Sequence, residues 1–151
     1  MAKKTIRVID LFAGCGGLSL GFQNAGFEIA AAYDFWDEAI AIYKRNFDHP
    51  IYKRDLNDID DLSDMKALSP NVIIGGPPCQ DYSSAGHRDE NLGRAQLTIK
   101  YAEIITRIRP QFFLMENVPN IQKSEKLGIV LSMFKEAGYG ITRMVMDASK
   151  C

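Results

Sequence analysis

The hexapeptide Gly75-Gly76-Pro77-Pro78-Cys79-Gln80 constrains this chain more than any other stretch. The apolar run 71–74 (NVII) leads into it and reads as a short buried strand. Two glycines and two prolines then stop that strand. The glycines permit close backbone approach, or dihedrals that other residues avoid. The prolines fix φ and withhold two N–H donors, so the loop is stiff. One cysteine stands at its tip. Two readings of it are open at this point: a nucleophile presented by a rigid loop, or a structural thiol buried in a tight turn.

The rest of the chain bears on that choice. Its 151 residues suffice for one domain with its own core, and 46% hydrophobic with 25% charged residues is ordinary for a soluble globular protein. A net charge of −1 gives no basic face of the kind a self-sufficient nucleic-acid binder carries. The local group Lys44, Arg45, Lys53 and Arg54 reads as solvated surface. The cysteines, Cys15, Cys79 and Cys151, are odd in number and widely spaced. That argues against a disulfide framework or a zinc site, and no metal is expected. A reducing cytosol is the expected compartment. The start of the chain is too charged for a signal peptide, and no apolar run approaches the ~20 residues of a membrane helix.

The pattern along the chain alternates strands with helices. Residues 5–11 (TIRVIDL) read as a central parallel strand, followed by a glycine-rich turn at 14–17 and a helix over 18–25. A second strand over 27–33 ends at Asp34, and a helix over 36–47 has Ala39, Ile40, Ile42 and Tyr43 on its apolar face. Ile51 and Tyr52 open a third short strand that ends near Asp55, and 62–68 is a short helix. Residues 72–74 are the fourth strand. The polar segment 81–94 reads as a mobile loop, and 96–109 as a strong amphipathic helix stopped by Pro110. A fifth buried strand over 111–115, a helix over 126–137 and a sixth strand over 139–146 complete the pattern. The expected class is α/β with a mostly parallel, doubly wound sheet.

In such a sheet ligands bind beyond the carboxyl ends of the strands, where the strand order reverses. An order of 3-2-1-4-5 puts the reversal between strands one and four, which end in the glycine turn and the Cys79 loop. Strand two ends in Asp34 and strand five in Glu116. One sheet edge then holds a glycine turn, two acids and a thiol, which favours a catalytic Cys79. The turn itself, Gly14-x-Gly16-x-x-Ser19, lacks the third glycine of the dinucleotide fingerprint. The acid about twenty residues on is present as Asp34. The turn supports a nucleoside-bearing cofactor without specifying a pyrophosphate.

The segments 10–17 (DLFAGCGG), 75–80 (GGPPCQ) and 116–118 (ENV), in this order and spacing, resemble successive motifs of the cytosine-5 DNA methyltransferases. The similarity runs through nearly the whole chain. It implies a Rossmann-like methyltransferase domain over residues 1–151, ending before the target-recognition domain, with S-adenosylmethionine as cofactor. The cofactor pocket would be lined by Phe12, Ala13, Gly14, Gly16, Gly17, Leu18 and Pro77. Asp34 would hold the ribose hydroxyls and Phe35 would stand beside the adenine. Asp55 and Leu56 would contact the adenine amine and face, and Leu97 would lie near the cofactor. For Leu56 and Leu97 plain core packing is an equal alternative. Cys79 would add to cytosine C6, and Glu116 would hold or protonate N3, a role that partial burial would favour. Asn117 would order the loop. The base would be flipped out of the duplex, with the loop around Ser83, Ser84 and Gly86 closing over it.

The sequence departs from the family pattern in three places. Asp81-Tyr82 stands where the family commonly has Pro-Phe, Asp34 replaces the more usual Glu, and the family's Gln-x-Arg-x-Arg segment is not present. The resemblance implies action on double-stranded DNA in the bacterial cytosol, beside the nucleoid. It leads to the expectation that this chain binds cofactor but methylates no DNA alone. A second polypeptide carrying the target-recognition domain is the expected partner. A subunit or fragment inactive by itself, or an RNA (tRNA) cytosine-5 enzyme, are the alternatives. An NAD-dependent oxidoreductase would leave Cys79 and Glu116 without a role.

Overall fold

The computed structural model describes residues 5–78, 96–147 and 149. Its centre is a five-stranded parallel sheet in the order β3-β2-β1-β4-β5. The strands are β1 (Arg7–Leu11), β2 (Glu28–Asp34), β3 (Ile51–Lys53), β4 (Val72–Gly75) and β5 (Phe112–Met115). The helices are α1 (Gly17–Asn24), α2 (Asp37–Asn46), α3 (Ser63–Ala67), α4 (Leu97–Ile108) and α5 (Glu125–Glu136), with a 3₁₀ turn at Pro119–Lys123. The expected order and its reversal between β1 and β4 are observed.

Side chains alternate across a strand, so β1 feeds two cores. Ile9 and Leu11 join Ala31, Tyr33 and Ile73 on one face, under α3, α4 and α5. Val8 joins Ile29, Val72 and Ile74 on the other, where Leu18 and Phe22 of α1 pack against them. A third cluster joins Ala32 and Ile51 to Ile40 and Tyr43 of α2. Asp37 and Glu38 in the first turn of α2, with Lys44 and Arg45 in the last, complement its dipole. Tyr101 of α4 donates its hydroxyl to the carbonyls of Ile73 (3.2 Å) and Leu114 (2.9 Å), which keys that helix to β4 and β5.

Three expectations are corrected. Ile42 is exposed, because the buried face of α2 is Ala39, Ile40 and Tyr43. The fifth strand is not buried on both faces. Phe113 and Met115 reach the main core, whereas Phe112 and Leu114 are exposed, since none of the described helices covers that face of β5. Residues 139–146 form no strand. A strand exists through its ladder, and this segment makes none with any described strand, although its first residue Tyr139 packs on Phe113 of the edge strand β5. Among those residues no helix is long and apolar enough to cross a membrane.

Candidate active site

Register sets the site. Leu11 pairs with Tyr33 on one side and with Gly75 on the other, and Gly75 pairs with Met115. Asp34, Phe12, Gly76 and Glu116 each follow that row directly. Neighbouring strands lie about 4.8 Å apart, so this edge spans about 14 Å from β2 to β5.

The β1–α1 turn is wound tightly. Phe12, Gly14 and Gly16 all have positive φ, at 58°, 55° and 94°. For Phe12 this left-handed backbone costs about 1–3 kcal/mol, strain of a kind that gathers at ligand sites. Ala13 N bonds the Tyr33 carbonyl at 3.1 Å, and Gly16 N bonds the Ala13 carbonyl at 2.9 Å. A side chain at Gly16 has no room: its Cβ would sit 2.2 Å from the Phe47 ring and 2.9 Å from that of Tyr43. At Gly14 and Gly17 a Cβ would meet open space. The turn is thus braced from beneath and bare above.

Asp34 holds this turn to the next one. Its Oδ2 accepts from Gly14 N at 2.8 Å and its Oδ1 from Trp36 N at 2.9 Å. The Phe35 ring beside it is 62% exposed, with Lys53 Nζ 5.7 Å from its centroid. Asp55 is exposed and caps a turn by accepting from Asn57 N at 2.9 Å. Leu18 packs beneath the sheet, and Ala13 and Pro77 are buried. Leu56 and Leu97 are both buried, Leu56 within the main core, so each has a packing role.

At the other end, Glu116 N donates to the Gly75 carbonyl at 2.9 Å. Its carboxyl lies against Gly76, where a Cβ would come 3.2 Å from Oε2. Asn117 Nδ2 donates to the Pro77 carbonyl at 2.7 Å and ties the two loops together. Asn117 therefore has the ordering position expected of it. Glu116 is exposed, so the partial burial invoked for its protonation is not found. Cys79 lies outside the described residues, as do Gln80, Asp81, Tyr82, Ser83, Ser84 and Gly86.

A buried polar chain lies behind the glycine turn, and sequence reasoning misses it. Asp10 accepts from Ser19 Oγ at 2.6 Å, Ser19 pairs with the Tyr43 hydroxyl at 2.7 Å, and Tyr43 with His49 Nδ1 at 3.1 Å. The signal available was an acid inside an apolar strand. Its partners come from two different helices, which no local pattern reveals.

The model of C-5 cytosine-specific DNA methylases matches residues 6–151. This chain belongs to that family. Among methylases it is 54% identical, over 147 residues, to the type II methyltransferase M.HindV of Haemophilus influenzae. That match covers 97% of this chain and 48% of M.HindV. It is 55% identical over 121 residues to M.HgiGI of Herpetosiphon aurantiacus, covering 80% of this chain and 96% of that one. The crystal structure of a candidate DNA modification methyltransferase from an E. coli prophage superposes with a TM-score of 0.72 at 34% identity. It covers 87% of this chain and 37% of that protein. The S. pombe Dnmt2 methyltransferase shares the fold, with a TM-score of 0.75 at 23% identity over 91% of this chain and 42% of its own. The chain thus spans about half the length of M.HindV.

Proposed function

We propose that this chain is the cofactor-binding and catalytic part of a DNA cytosine-5 methyltransferase. The observation that carries the reading is the pinned pair of loops. The Glu116 carboxyl lies against Gly76, and Asn117 holds Pro77, two residues before Cys79 in sequence. Family membership supports it.

The glycine turn fits S-adenosylmethionine. Gly14 and Gly17 leave their backbone open where side chains would block approach, and the Phe35 ring nearby is largely exposed. Asp34 spends one lone pair per oxygen on backbone N–H groups and retains capacity to accept ribose hydroxyls. Phe12, Ala13, Gly16, Leu18, Asp55, Leu56, Pro77 and Leu97 complete the proposed surroundings, Gly16, Leu56 and Leu97 by packing from behind. The bound cofactor supplies an electrophilic methyl group on a sulfonium.

Cytosine C5 is too weak a nucleophile to take that methyl unaided. The Cys79 thiolate adds its sulfur to C6, and the C5=C6 electron pair moves onto C5. Glu116 holds the proton at N3, which draws charge away from the ring as the S–C6 bond forms. A flipped base covering Glu116 supplies the burial that the open site lacks, and burial raises a carboxyl's affinity for its proton. Once C5 carries the methyl, its proton leaves to a base and the S–C6 pair returns to sulfur, restoring C5=C6.

Sequence readout needs base-edge and phosphate contacts that a chain of net charge −1 does not concentrate. We assign those contacts to the half that relatives such as M.HindV have beyond this span, and place the reaction in the bacterial cytosol. The test is a duplex with 5-fluorocytosine at the target, S-adenosylmethionine, and the second half supplied. The expected result is a covalent protein–DNA adduct that Cys79→Ser abolishes while cofactor binding persists. An adduct formed equally by Cys79→Ser overturns the assignment.

A further inference from the structure

This inference rests on the reading of the glycine turn as the S-adenosylmethionine cradle. Asp10 is fully buried, midway along the sheet in β1, on the face that α1 and α2 cover. Its Oδ2 starts the chain through Ser19 and Tyr43 to His49. The two ends of that chain, Asp10 Oδ1 and His49 Nε2, have no hydrogen-bond partner among the described residues. The chain runs directly beneath the turn, because the Gly16 backbone packs on the Tyr43 and Phe47 rings.

A buried carboxylate is stable only with a cation or several donors around it. Asp10 has one donor and one bare oxygen. The groups facing it are known from each element. Ser19 of α1 donates to it, and Asp34 at the end of β2 opposes its ionisation. Burial makes Tyr43 of α2 and Tyr101 of α4 harder to ionise, and the charge of Asp10 adds to this, reaching Tyr101 from the opposite face of the sheet. His49, beyond α2, is held below its ordinary value by burial, with Asp48 acting the other way.

We infer that Asp10 is a positioning residue for the cofactor turn and does this work as an uncharged acid, keyed through Ser19 to Tyr43. An ionised Asp10 only accepts, so every proton in the chain must point toward it and His49 must carry its proton on Nδ1. The uncharged acid permits both polarities, including Tyr43 donating to His49. Burial raises the Asp10 carboxyl from 3.8 to about 7, with Asp34 adding to the effect. The folded chain therefore keeps a proton that the unfolded chain loses above 3.8. Its contribution to stability is complete below 3.8 and lost as pH rises to about 7. Burial lowers His49 from 6.5, so its contribution grows as pH rises toward 6.5, opposite in sign to that of Asp10, and it cannot produce a loss of stability with rising pH.

The experiment uses the full-length protein. Calorimetry with S-adenosylmethionine at pH 6 and pH 8.5 is paired with melting, without cofactor, across pH 5 to 8.5, in wild type, Asp10→Asn and Ser19→Ala. Asp10→Asn keeps a neutral group of the same shape. Wild type should lose melting temperature as pH rises and bind cofactor several-fold more weakly at pH 8.5. Asp10→Asn should show a flatter melting profile, melt at or above wild type near neutrality, and hold its affinity at pH 8.5. Ser19→Ala should bind weakly at both pH values. Parallel profiles for wild type and Asp10→Asn, or an Asp10→Asn protein that folds at no pH, overturn the inference. Binding with parallel profiles leaves the proposed function standing and removes only the role of Asp10. No binding by any form, with the melting difference intact, removes the cofactor reading and leaves the uncharged acid.

Discussion

At the β1–β2 end of the site, Asp34 joins two turns, Gly16 is wedged against two rings, and a buried polar chain runs underneath. At the β4–β5 end, Glu116 stands exposed and a single side-chain hydrogen bond among the described residues, from Asn117 to Pro77, links the two loops. The first end is built before anything binds. The second presents an exposed carboxyl, whose surroundings the substrate would complete under the proposed function. The contrast suits a cofactor that binds to a finished cradle and a base whose arrival supplies its own desolvation.

That contrast predicts that the two ends separate in assay. Glu116→Gln, in the complete enzyme, should slow methyl transfer by ~10²–10⁴-fold, the usual range for losing a positioned acid or base. It should leave the melting temperature almost unchanged, because the side chain is exposed. A large loss of thermal stability would break the comparison. Gly16→Ala should do the reverse, destabilising the fold by about 2–4 kcal/mol through the clash with Phe47 and Tyr43 and the positive φ. Gly17→Ala sharpens the point. Its new methyl meets open space, so chemical denaturation should show a change within about 1 kcal/mol, while cofactor affinity falls. The smallest effect belongs to Asn117→Ala. It loses the bond to the Pro77 carbonyl, worth about 1 kcal/mol, and an exposed local bond that its Oδ1 accepts from Val118 N and that adds little, with a proportionately larger loss of turnover if the Pro77 bond positions the loop for Cys79.

How much of this was legible in the sequence follows the same division. The strand order is legible because β1 is apolar on both faces and two unusual loops end adjacent strands. The places of Asp34, Glu116 and Asn117 follow from their positions just past strand ends. The second task of Asp34, bonding Gly14 N and Trp36 N, is not legible, since a carboxyl at a strand end reads equally well as a ligand-binding group. Nor is the Asp10–Ser19–Tyr43–His49 chain, whose members meet only after α1 and α2 have packed on one face. The sixth strand fails for the opposite reason. Residues 139–146 have the right side chains, but propensity alone does not make a strand, and no ladder forms there even though β5 leaves an edge open.

Gly75 carries a lesson for anyone scanning this domain by mutation. A Cβ there would lie 2.5 Å from the Leu11 carbonyl oxygen and 2.9 Å from the Tyr101 ring, so the spacing of the two arms of the sheet is set by a missing atom. Methylation screens would rank position 75 with the chemically active residues, although it has no group to lend to any reaction. Only a parallel readout of soluble, folded protein would reveal that its indispensability is architectural.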